Sequence, residues 1–372
     1  MRVRRIATIA ALMFLPPVAT APAWQLPAVD PATAESIDAA AAKGIEYLKV
    51  AGQREDGSFS ENNAAGVTAL VLAAILKHDA DPDTPFVRKG LAYLEGLVHD
   101  DGGIYADESR YKNYETCLAI FALVEANDDG RYTEMIARAK QFLKDQQFDE
   151  SEGHGSEDPY WGGAGYGSKG RPDLSNTSML VEALIAAGED ADSEAIQRAL
   201  TFVSRSQNLE SEHNTLPYPN LNPDGGFYYT PANGGESMAG KLENGGLRSY
   251  ASMTYAGLKS LIYAGVDKDD QRVKAAVAWL KKNYDLKSNP GMGTAGLYYY
   301  YQTFAKSLAA YGDAEFVDES GTKHDWRAEL VAELVARQRD DGGWINGENA
   351  RWMEDNGSLV TAYALLALAY CR

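Results

Sequence analysis

One helical segment recurs six times along the chain. Its copies are TALVLAAI (68–75), TCLAIFAL (116–123), TSMLVEAL (177–184), TYAGLKSL (254–261), YQTFAKSL (301–308) and TAYALLAL (361–368). Each copy begins with Thr, or with Tyr301 in the fifth, and has a small residue followed by Leu or Ile at its seventh and eighth positions. A helical hairpin cannot bury its apolar face alone, so hairpins of this kind stack against one another. The repeat therefore predicts an all-α fold.

A second helix precedes each copy. In five of the six cases a small residue stands three positions before an aromatic residue that is followed by an aliphatic one, as in Gly44/Tyr47-Leu48; the sixth departs, with Glu333-Leu334. The predicted outer helices lie near 33–51, 84–98, 131–146, 192–206, 269–283 and 325–338, and the inner helices near 63–77, 112–126, 174–187, 248–264, 294–311 and 357–371. Six hairpins whose inner helices lie side by side close into a two-layered ring. The predicted architecture is a single α6/α6 toroid over residues 24–372.

The first 23 residues have the pattern of a secretory signal peptide. Three arginines precede the apolar run 6–18, and small residues around Ala21-Pro22-Ala23 fit a cleavage site. This run is too short to span a bilayer stably, and no later stretch has the roughly 20 apolar residues that a span requires. We therefore predict a signal peptide at 1–23, export to the periplasm or the extracellular space, and no integral membrane span after cleavage. An uncleaved N-terminal anchor is the main alternative.

Charge and cysteine content narrow the classes of partner and scaffold. The formal net charge of −18 argues against binding to nucleic acid or to an anionic membrane surface. The two cysteines, Cys117 and Cys371, fall at opposite ends of parallel inner helices, about 15 Å apart in depth at 1.5 Å per residue. A disulfide cannot bridge that separation. Both are predicted to be free, buried thiols.

The loops from outer to inner helices share a signature and are the longer ones. The signature reads Asp56-Gly57-Ser58-Phe59, Asp101-Gly102-Gly103-Ile104, Asp224-Gly225-Gly226-Phe227 and Asp341-Gly342-Gly343-Trp344. Two of these connections, 148–173 and 208–247, are long insertions. Long loops gathered at one end of a helical barrel usually mark its functional end. The same end holds the N-termini of all six inner helices, which favour an anion.

This combination of patterns resembles a known repeat. Outer helices followed by Gln and then Asp-Gly-Gly-aromatic are similar to the repeat shared by squalene and terpenoid cyclases and protein prenyltransferase β subunits. Residues 254–261 resemble an inner-helix segment of the prenyltransferases, and 298–302 resemble the aromatic stretch beside their zinc site. The resemblance covers nearly the whole chain after the signal peptide. It implies a toroid with a central cavity for an isoprenoid or another hydrophobic small molecule or lipid.

The catalytic groups of those families are missing at the matching positions. The prenyltransferase zinc ligands would fall at Ala295, Leu297 and near Val360, none of which can bind a metal. Squalene-type cyclases carry an Asp-x-Asp-Asp acid at the start of an inner helix. The match here, 267–270, instead precedes an outer helix, where Asp commonly caps. The sequence thus predicts no metal and no cofactor, and it leaves open whether the protein is an enzyme.

Helical geometry predicts which side chains face the lumen of the ring. Five positions after the first residue of their copies stand Glu182, Lys259 and Lys306, on three neighbouring inner helices and at one depth. Charged groups are rarely buried there unless they are paired or used. One interpretation is a salt-bridged plug that fills the ring. The other is a pocket in which both lysines bind an anionic head group while Glu182 acts as acid or base.

Further candidates lie on the same helix faces. Glu115, near the mouth of the ring, is a second candidate for an acid or base. The candidate ligand-binding side chains, beside Lys259 and Lys306, are Tyr255, Gln302, Tyr299, Tyr114 and Phe121, and the resemblance to prenyltransferases adds Tyr298. Tyrosine faces could stabilise a cation, although tyrosines at such positions more often pack a core.

Three hypotheses for the function follow. The first is an exported prenyltransferase- or squalene-cyclase-like toroid that binds, and possibly transforms, an isoprenoid or another long apolar ligand in its central cavity. The second is a non-catalytic secreted binding or interaction module. The third is a toroidal carbohydrate-active enzyme that binds sugars through the acidic and aromatic loop 150–161; the repeat signature argues against this third hypothesis.

Overall fold

Two concentric layers of helices form the protein. The computed structural model describes residues 26–167 and 170–372, so the predicted signal peptide at 1–23 lies outside the described residues. The outer helices are α1 (Pro31–Tyr47), α3 (Pro85–Glu95), α5 (Thr133–Lys144), α7 (Glu194–Arg205), α9 (Gln271–Lys282) and α11 (Trp326–Arg337). The inner helices are α2 (Ala64–Leu76), α4 (Lys112–Glu125), α6 (Leu174–Ala186), α8 (Ala251–Tyr263), α10 (Leu297–Tyr311) and α12 (Gly357–Ala369).

The inner layer is a closed ring. Each inner helix packs against the next along the chain, and α12 packs against α2. In the outer layer, the first helix, α1, packs against the last, α11, at the seam of the ring. The predicted all-α, α6/α6 toroid is therefore confirmed. Smaller elements decorate it: a π-helical turn at Leu48–Gly52, a short helix at Tyr218–Leu221, and an antiparallel pair of strands, β1 (Phe316–Val317) and β2 (Lys323–His324).

The Gln that recurs after the outer helices connects neighbouring repeat units. The Gln207 side-chain amide donates to the carbonyl oxygens of Gly225, in the following loop, and of Arg272, in the next outer helix, at 2.9 Å each. Gln338 does the same at the seam of the ring, where it donates to Gly342 and to Ala40 of α1. These bonds satisfy backbone carbonyls that burial would otherwise leave unpaired. The repeated Gln thus joins the last hairpin to the first.

The Thr that opens each inner copy holds the loop before it. The Thr254 hydroxyl accepts a hydrogen bond from the Phe227 amide at 3.1 Å and donates to the Tyr250 carbonyl. Thr68, Thr116, Thr177 and Thr361 each accept the equivalent loop amide at 3.0 to 3.1 Å. The fifth copy has Tyr301 at this position, and its hydroxyl donates to Leu286 instead. The loop before Tyr301 lacks the Asp-Gly signature, and so does the loop before Thr177, which has Trp161-Gly162-Gly163-Ala164 in its place.

The Asp-Gly pair of each loop is explained by a close approach of loop and outer helix. Asp341 accepts a hydrogen bond from the Gly343 amide at 3.0 Å and so folds the turn. Gly342 has φ 88°, and a Cβ at this position would lie 2.5 Å from the Lys43 carbonyl oxygen of α1. Only glycine tolerates both conditions. The signature therefore seats each loop on its neighbouring outer helix.

Two further sequence predictions can be compared with the structure. Cys117 and Cys371 are free and buried, as predicted. Asp270 caps α9 by accepting the Arg272 amide at 2.7 Å, so the Asp-x-Asp-Asp match is a helix cap, as predicted. Among the described residues, no helix has both the length and the apolar character needed to cross a membrane.

Candidate functional site

The three charged residues predicted for the lumen lie together inside the ring. The Glu182 carboxylate accepts one hydrogen bond from Lys259 and one from Lys306, each at 2.5 Å. The side chains are 4% to 9% exposed. The Lys306 ammonium also lies over the Phe121 ring, 4.9 Å from its centroid. This ion triad connects α6, α8 and α10 across the interior.

One carboxylate shared by two ammonium groups explains the titration behaviour of the triad. Burial alone would raise the pKa of Glu182, but the charges of Lys259 and Lys306 outweigh burial and lower that pKa to about 2. Burial lowers the pKa of Lys306 to about 8. The attraction to Glu182, a carboxylate that Lys306 shares with Lys259, does not fully offset the loss of hydration and the repulsion from the Lys259 ammonium. Glu182 is therefore held ionised and is a poor proton donor.

The lumen is filled at the depth of the triad. The cavity that Glu182, Lys259 and Lys306 share with Gln302 has a volume of about 10 Å³. A cavity of this size accommodates about one water molecule and nothing larger. These contacts favour the interpretation of the triad as a plug.

The remaining predicted residues separate into a packed group and a pocket group. Tyr255 is 1% exposed and packs on Phe304, with ring centroids 5.0 Å apart. Tyr298 is 2% exposed and packs on Tyr301. Neither of these two tyrosines lines the triad cavity or the larger pocket described next, whereas Tyr114 and Tyr299 line that larger pocket.

Glu115 lies under a loop and not in the lumen. Its carboxylate accepts a hydrogen bond from the Ala106 amide at 3.0 Å, and burial raises its pKa. The loop between α3 and α4 is thereby fixed to the start of α4. The geometry gives Glu115 the role of a loop anchor, away from the walls of the cavities described here.

A pocket of about 370 Å³ opens between the triad and the mouth of the ring, at the N-terminal ends of the inner helices. Seven tyrosines, four methionines and a tryptophan dominate its wall. These twelve are Tyr111, Tyr114, Tyr166, Tyr229, Tyr250, Tyr299, Tyr363, Met179, Met238, Met253, Met353 and Trp352. The wall also contains the polar residues Asn63, Ser175, Ser252, Asn289 and Glu354. We call this the tyrosine pocket. Its composition, mostly aromatic with a few polar groups, is typical of small-molecule sites.

The long loops supply much of the wall of the tyrosine pocket. Tyr166 and Tyr229 come from the two long insertions, and Trp352 comes from the loop before α12. Trp352 and Met353 have φ 59° and 64°, and Asn63 has φ 50°. Such left-handed backbone in residues other than glycine is strained and is found preferentially at functional sites. Three of the six such residues in the described part of the chain line this one pocket.

Asp173 is the carboxylic acid that the sequence analysis missed. It caps α6, accepting the backbone amide and the side-chain amide of Asn176 at 2.9 and 2.8 Å, and it is 2% exposed. Burial raises its pKa to about 6, against hydrogen bonds from Asn176 and from Tyr229 of the pocket wall that oppose the rise. The position of Asp173 in the sequence could have identified it. Asp173-Leu174-Ser175-Asn176 lies at the start of an inner helix, where squalene-type cyclases carry Asp-x-Asp-Asp. This chain keeps the first Asp of that motif and has Ser and Asn at its third and fourth positions.

Glu354 occupies the place that the sequence predicted for an anion. Its carboxylate accepts the backbone amides of Tyr298 and Tyr299, at the N-terminus of α10, at 2.8 and 2.9 Å. The Asn346 side chain donates to the other oxygen at 2.6 Å. Burial nevertheless raises the Glu354 pKa. Within residues 26–167 and 170–372 no group of three or more His, Cys, Asp or Glu side chains could hold a metal ion.

Comparisons with known proteins agree with this architecture. The family model of the squalene-hopene cyclase C-terminal domain matches residues 61–221. The type II terpene cyclase MstE from Scytonema superposes with a TM-score of 0.51 at 14% identity, over 90% of this chain and 97% of that one. No curated protein matches the sequence. The helical repeat and the fold are those of the terpenoid cyclase-like superfamily.

Toroids that act on carbohydrates are equally similar in shape. A polysaccharide lyase superposes with a TM-score of 0.52 at 13% identity, over 91% of this chain and 97% of that one. A family 88 glycosyl hydrolase from Bacteroides vulgatus gives 0.51 at 10% identity, over 90% of this chain and 98% of that one. At such low identities these similarities concern the fold alone. The evidence for one class of ligand over another must therefore come from the residues of the pocket.

Proposed function

We propose that this chain, a terpenoid cyclase-like toroid, binds an apolar small molecule of isoprenoid character in the tyrosine pocket. The observation that carries the proposal is the pocket itself: about 370 Å³ of space lined by aromatic rings and thioethers, at the end of the ring where the long loops meet. Methionine side chains adapt their shape to irregular apolar ligands. The ligand site is thus the tyrosine pocket and not the level of the ion triad.

The volume of the pocket limits the size of the ligand. At about 30 Å³ for each water-sized group, 370 Å³ holds about a dozen non-hydrogen atoms. Geraniol and farnesol are of this order, whereas squalene is far larger. A short isoprenoid is therefore the proposed class, and a squalene-sized chain would have to extend out of the mouth.

The polar groups of the pocket are suited to orient a ligand. Tyr299 and Ser175 share a hydrogen bond of 2.8 Å between their hydroxyls at the wall. Asp173 lies behind Tyr229, whose hydroxyl interacts with the carboxyl group. A proton on Asp173 is thereby separated from the pocket by one tyrosine hydroxyl. Proton donation to a bound alkene is the reaction that this arrangement would support.

Ligand binding is tested by isothermal titration calorimetry with geraniol, farnesol and squalene. We expect measurable binding of the two shorter alcohols, and loss of that binding in a Ser252→Trp variant that fills the pocket. A Glu315→Gln variant, altered at an exposed ion pair, serves as the control. The proposal would be refuted if neither geraniol nor farnesol bound to the wild-type protein, or if the Ser252→Trp variant bound them as tightly as the wild type does.

Carbohydrate binding is a second candidate, favoured by the similarity in fold to the lyase and the hydrolase and by the amides of Asn63 and Asn289 in the pocket wall. Tyrosine rings also stack on sugars. The same titration with cellobiose and a uronic-acid disaccharide distinguishes the two candidates. Binding of the sugars with none of the alcohols would replace the first proposal by the second.

A further inference from the structure

The lining of the tyrosine pocket contains a carboxyl group and no basic side chain. Among its lining residues there is one carboxyl group, Glu354, and no Lys, Arg or His. A second carboxyl group, Asp173, lies directly behind Tyr229. Two arginines outside the lining set lie against lining rings: Arg171, which pairs with Glu236 and lies over the Tyr229 ring at 5.5 Å, and Arg351, which lies over the Trp352 ring at 4.2 Å. An anionic ligand would thus find no side-chain cation in the wall of the pocket.

The helix N-termini do not restore a site for an anion. Glu354 already accepts the amides of Tyr298 and Tyr299 in the first turn of α10, and Asp173 accepts the Asn176 amide in the first turn of α6. The partial positive charge of these termini is therefore neutralised by the chain's own carboxyl groups. At these two helices the N-terminus predicted to favour an anion is occupied by a carboxyl group of the chain itself, from a loop in one case and from a cap in the other.

The aromatic rings are arranged as the walls of a cage. Tyr111 and Tyr166 stand at 80° to each other with centroids 5.3 Å apart, and Tyr299 and Tyr363 stand at 78° with centroids 6.0 Å apart. Tyr114 is tilted against Tyr166 by 53°. Aromatic faces carry partial negative charge, and cages of such rings bind quaternary ammonium groups. Rings at right angles present faces in more than one direction, as a cage requires.

We propose that the ligand of the tyrosine pocket carries a permanent positive charge of the quaternary-ammonium class on a short apolar chain. The tyrosine faces and the methionine sulfurs surround the onium methyl groups, while Glu354, the carboxyl group in the wall, supplies the balancing negative charge. A quaternary ammonium is suited to this wall because it needs no hydrogen-bond acceptor and keeps weakly hydrated apolar methyl groups. This inference rests on the proposed function, since it assigns the head group of the ligand for that same pocket.

A pair of isosteric probes tests the charge separately from the shape. The first is a hydroxyhexyl chain that ends in a trimethylammonium group, and the second is the same chain ending in a neutral tert-butyl group. A third probe of similar length ends in a carboxylate. Calorimetry should give at least about tenfold tighter binding of the ammonium probe than of its neutral isostere, and the weakest binding of the carboxylate.

Salt and substitutions distinguish nonspecific attraction of the cationic probe to an acidic protein from its binding by the aromatic rings of the pocket. The preference should persist at about 0.5 M salt, where charges on the surface are largely screened. It should fall to about threefold or less in Tyr299→Leu and in Tyr363→Leu. A Tyr93→Leu variant, whose ring is on α3 and does not line the pocket, should keep the full preference.

The outcomes separate this inference from the proposed function. Equal affinity for the ammonium and neutral probes overturns the inference and leaves the apolar pocket in place. A preference that disappears in salt, or that both pocket variants retain, also overturns it. If neither isostere binds and the alcohols fail as well, then both the inference and the proposed function are refuted.

Discussion

Two levels of the same ring satisfy their polar groups in opposite ways. At the level of Glu182, two lysines share one carboxylate and the space left over is about 10 Å³. At the level of Tyr299 and Tyr363, the interior widens to about 370 Å³, and the carboxyl groups there have raised pKa values and no cation in the wall. The charges that are most prominent in the sequence thus pair with one another, whereas the wider level, whose wall has a carboxyl group and no cation, is the one where we propose a ligand.

The sharpest test of this contrast is Glu182→Gln. The change leaves two buried ammonium groups with one neutral acceptor, and removal of one partner of a buried ion pair costs about 3–5 kcal/mol of unfolding free energy. Binding of geraniol should be unchanged where the variant is folded. Urea denaturation measures the loss, with Glu315→Gln as the exposed control at about 1 kcal/mol or less. A stable Glu182→Gln protein that no longer binds the ligand would reverse the assignment of the two levels.

The next largest effect concerns Asp173 and its dependence on pH. The folded-state pKa of about 6 is above the ordinary 3.8, so the native protein binds this proton more tightly than the unfolded chain does. The resulting stability is present in full below pH 3.8 and is lost as the pH rises through 6. The shift corresponds to about 3 kcal/mol. The Asp173→Asn variant should not show this loss of stability with rising pH, because an asparagine side chain does not titrate.

Unfolding of wild type and Asp173→Asn should therefore be compared at several pH values from 4 to 7.5. Relative to wild type, the variant should gain about 2.4 kcal/mol between pH 4 and pH 7.5, on top of a constant cost for altered hydrogen bonds to Asn176. Asp267→Asn, at an exposed turn, controls for general effects of pH. Parallel stability curves for wild type and Asp173→Asn would show that Asp173 does not hold a raised pKa.

Loss of the hydrogen bond between the Thr177 hydroxyl and the Ala164 amide should have an intermediate effect on stability. Thr177→Val removes the acceptor of the buried Ala164 amide, which lies 3.0 Å from the Thr177 hydroxyl, and should cost about 1–3 kcal/mol. The same loop carries Tyr166 into the tyrosine pocket, so ligand affinity should fall as well. Thr177→Ser keeps the hydroxyl and should retain both properties. An effect on stability alone would mean that the position of Tyr166 does not matter for binding.

The smallest expected effect is that of Tyr299→Phe. The change removes the hydrogen bond to Ser175 and should cost about 0.5–1.5 kcal/mol, while the ring face remains in the pocket. Affinity for an apolar probe should stay within about twofold. Titration and urea denaturation of the same preparation measure both quantities. A large loss of affinity would mean that the hydroxyl, and not the face, contacts the ligand.

The fold was predictable because each of its contacts is repeated. Thr254 and its equivalents make the same bond to the same loop position, so the pattern that records one contact records them all. The lumen residues Glu182, Lys259 and Lys306 were predictable for a related reason. Their common position in the repeat places them at one depth, and helical geometry turns them inward.

The tyrosine pocket could be anticipated only in its location. Trp352 and Tyr229 come from loops without a repeat, so their positions depend on how each loop folds over the mouth. Glu354 reaches the N-terminus of α10 from such a loop, which is why an anion site was predicted where a carboxylate already lies. The pKa of Asp173 likewise depends on the loop residue Tyr229, whose hydrogen bond opposes the rise that burial causes. Spacing along the chain does not encode such contacts.

A crystal structure of the protein soaked with a bromine-labelled farnesol analogue tests the account most directly, because anomalous scattering locates the bromine independently of the fitted ligand. We expect the bromine peak within the tyrosine pocket, beside Tyr299 and Tyr363, with the bonds of Lys259 and Lys306 to Glu182 intact. A peak at the level of the triad, with those bonds opened to admit the ligand, would contradict the division of the ring into a filled level and a binding level.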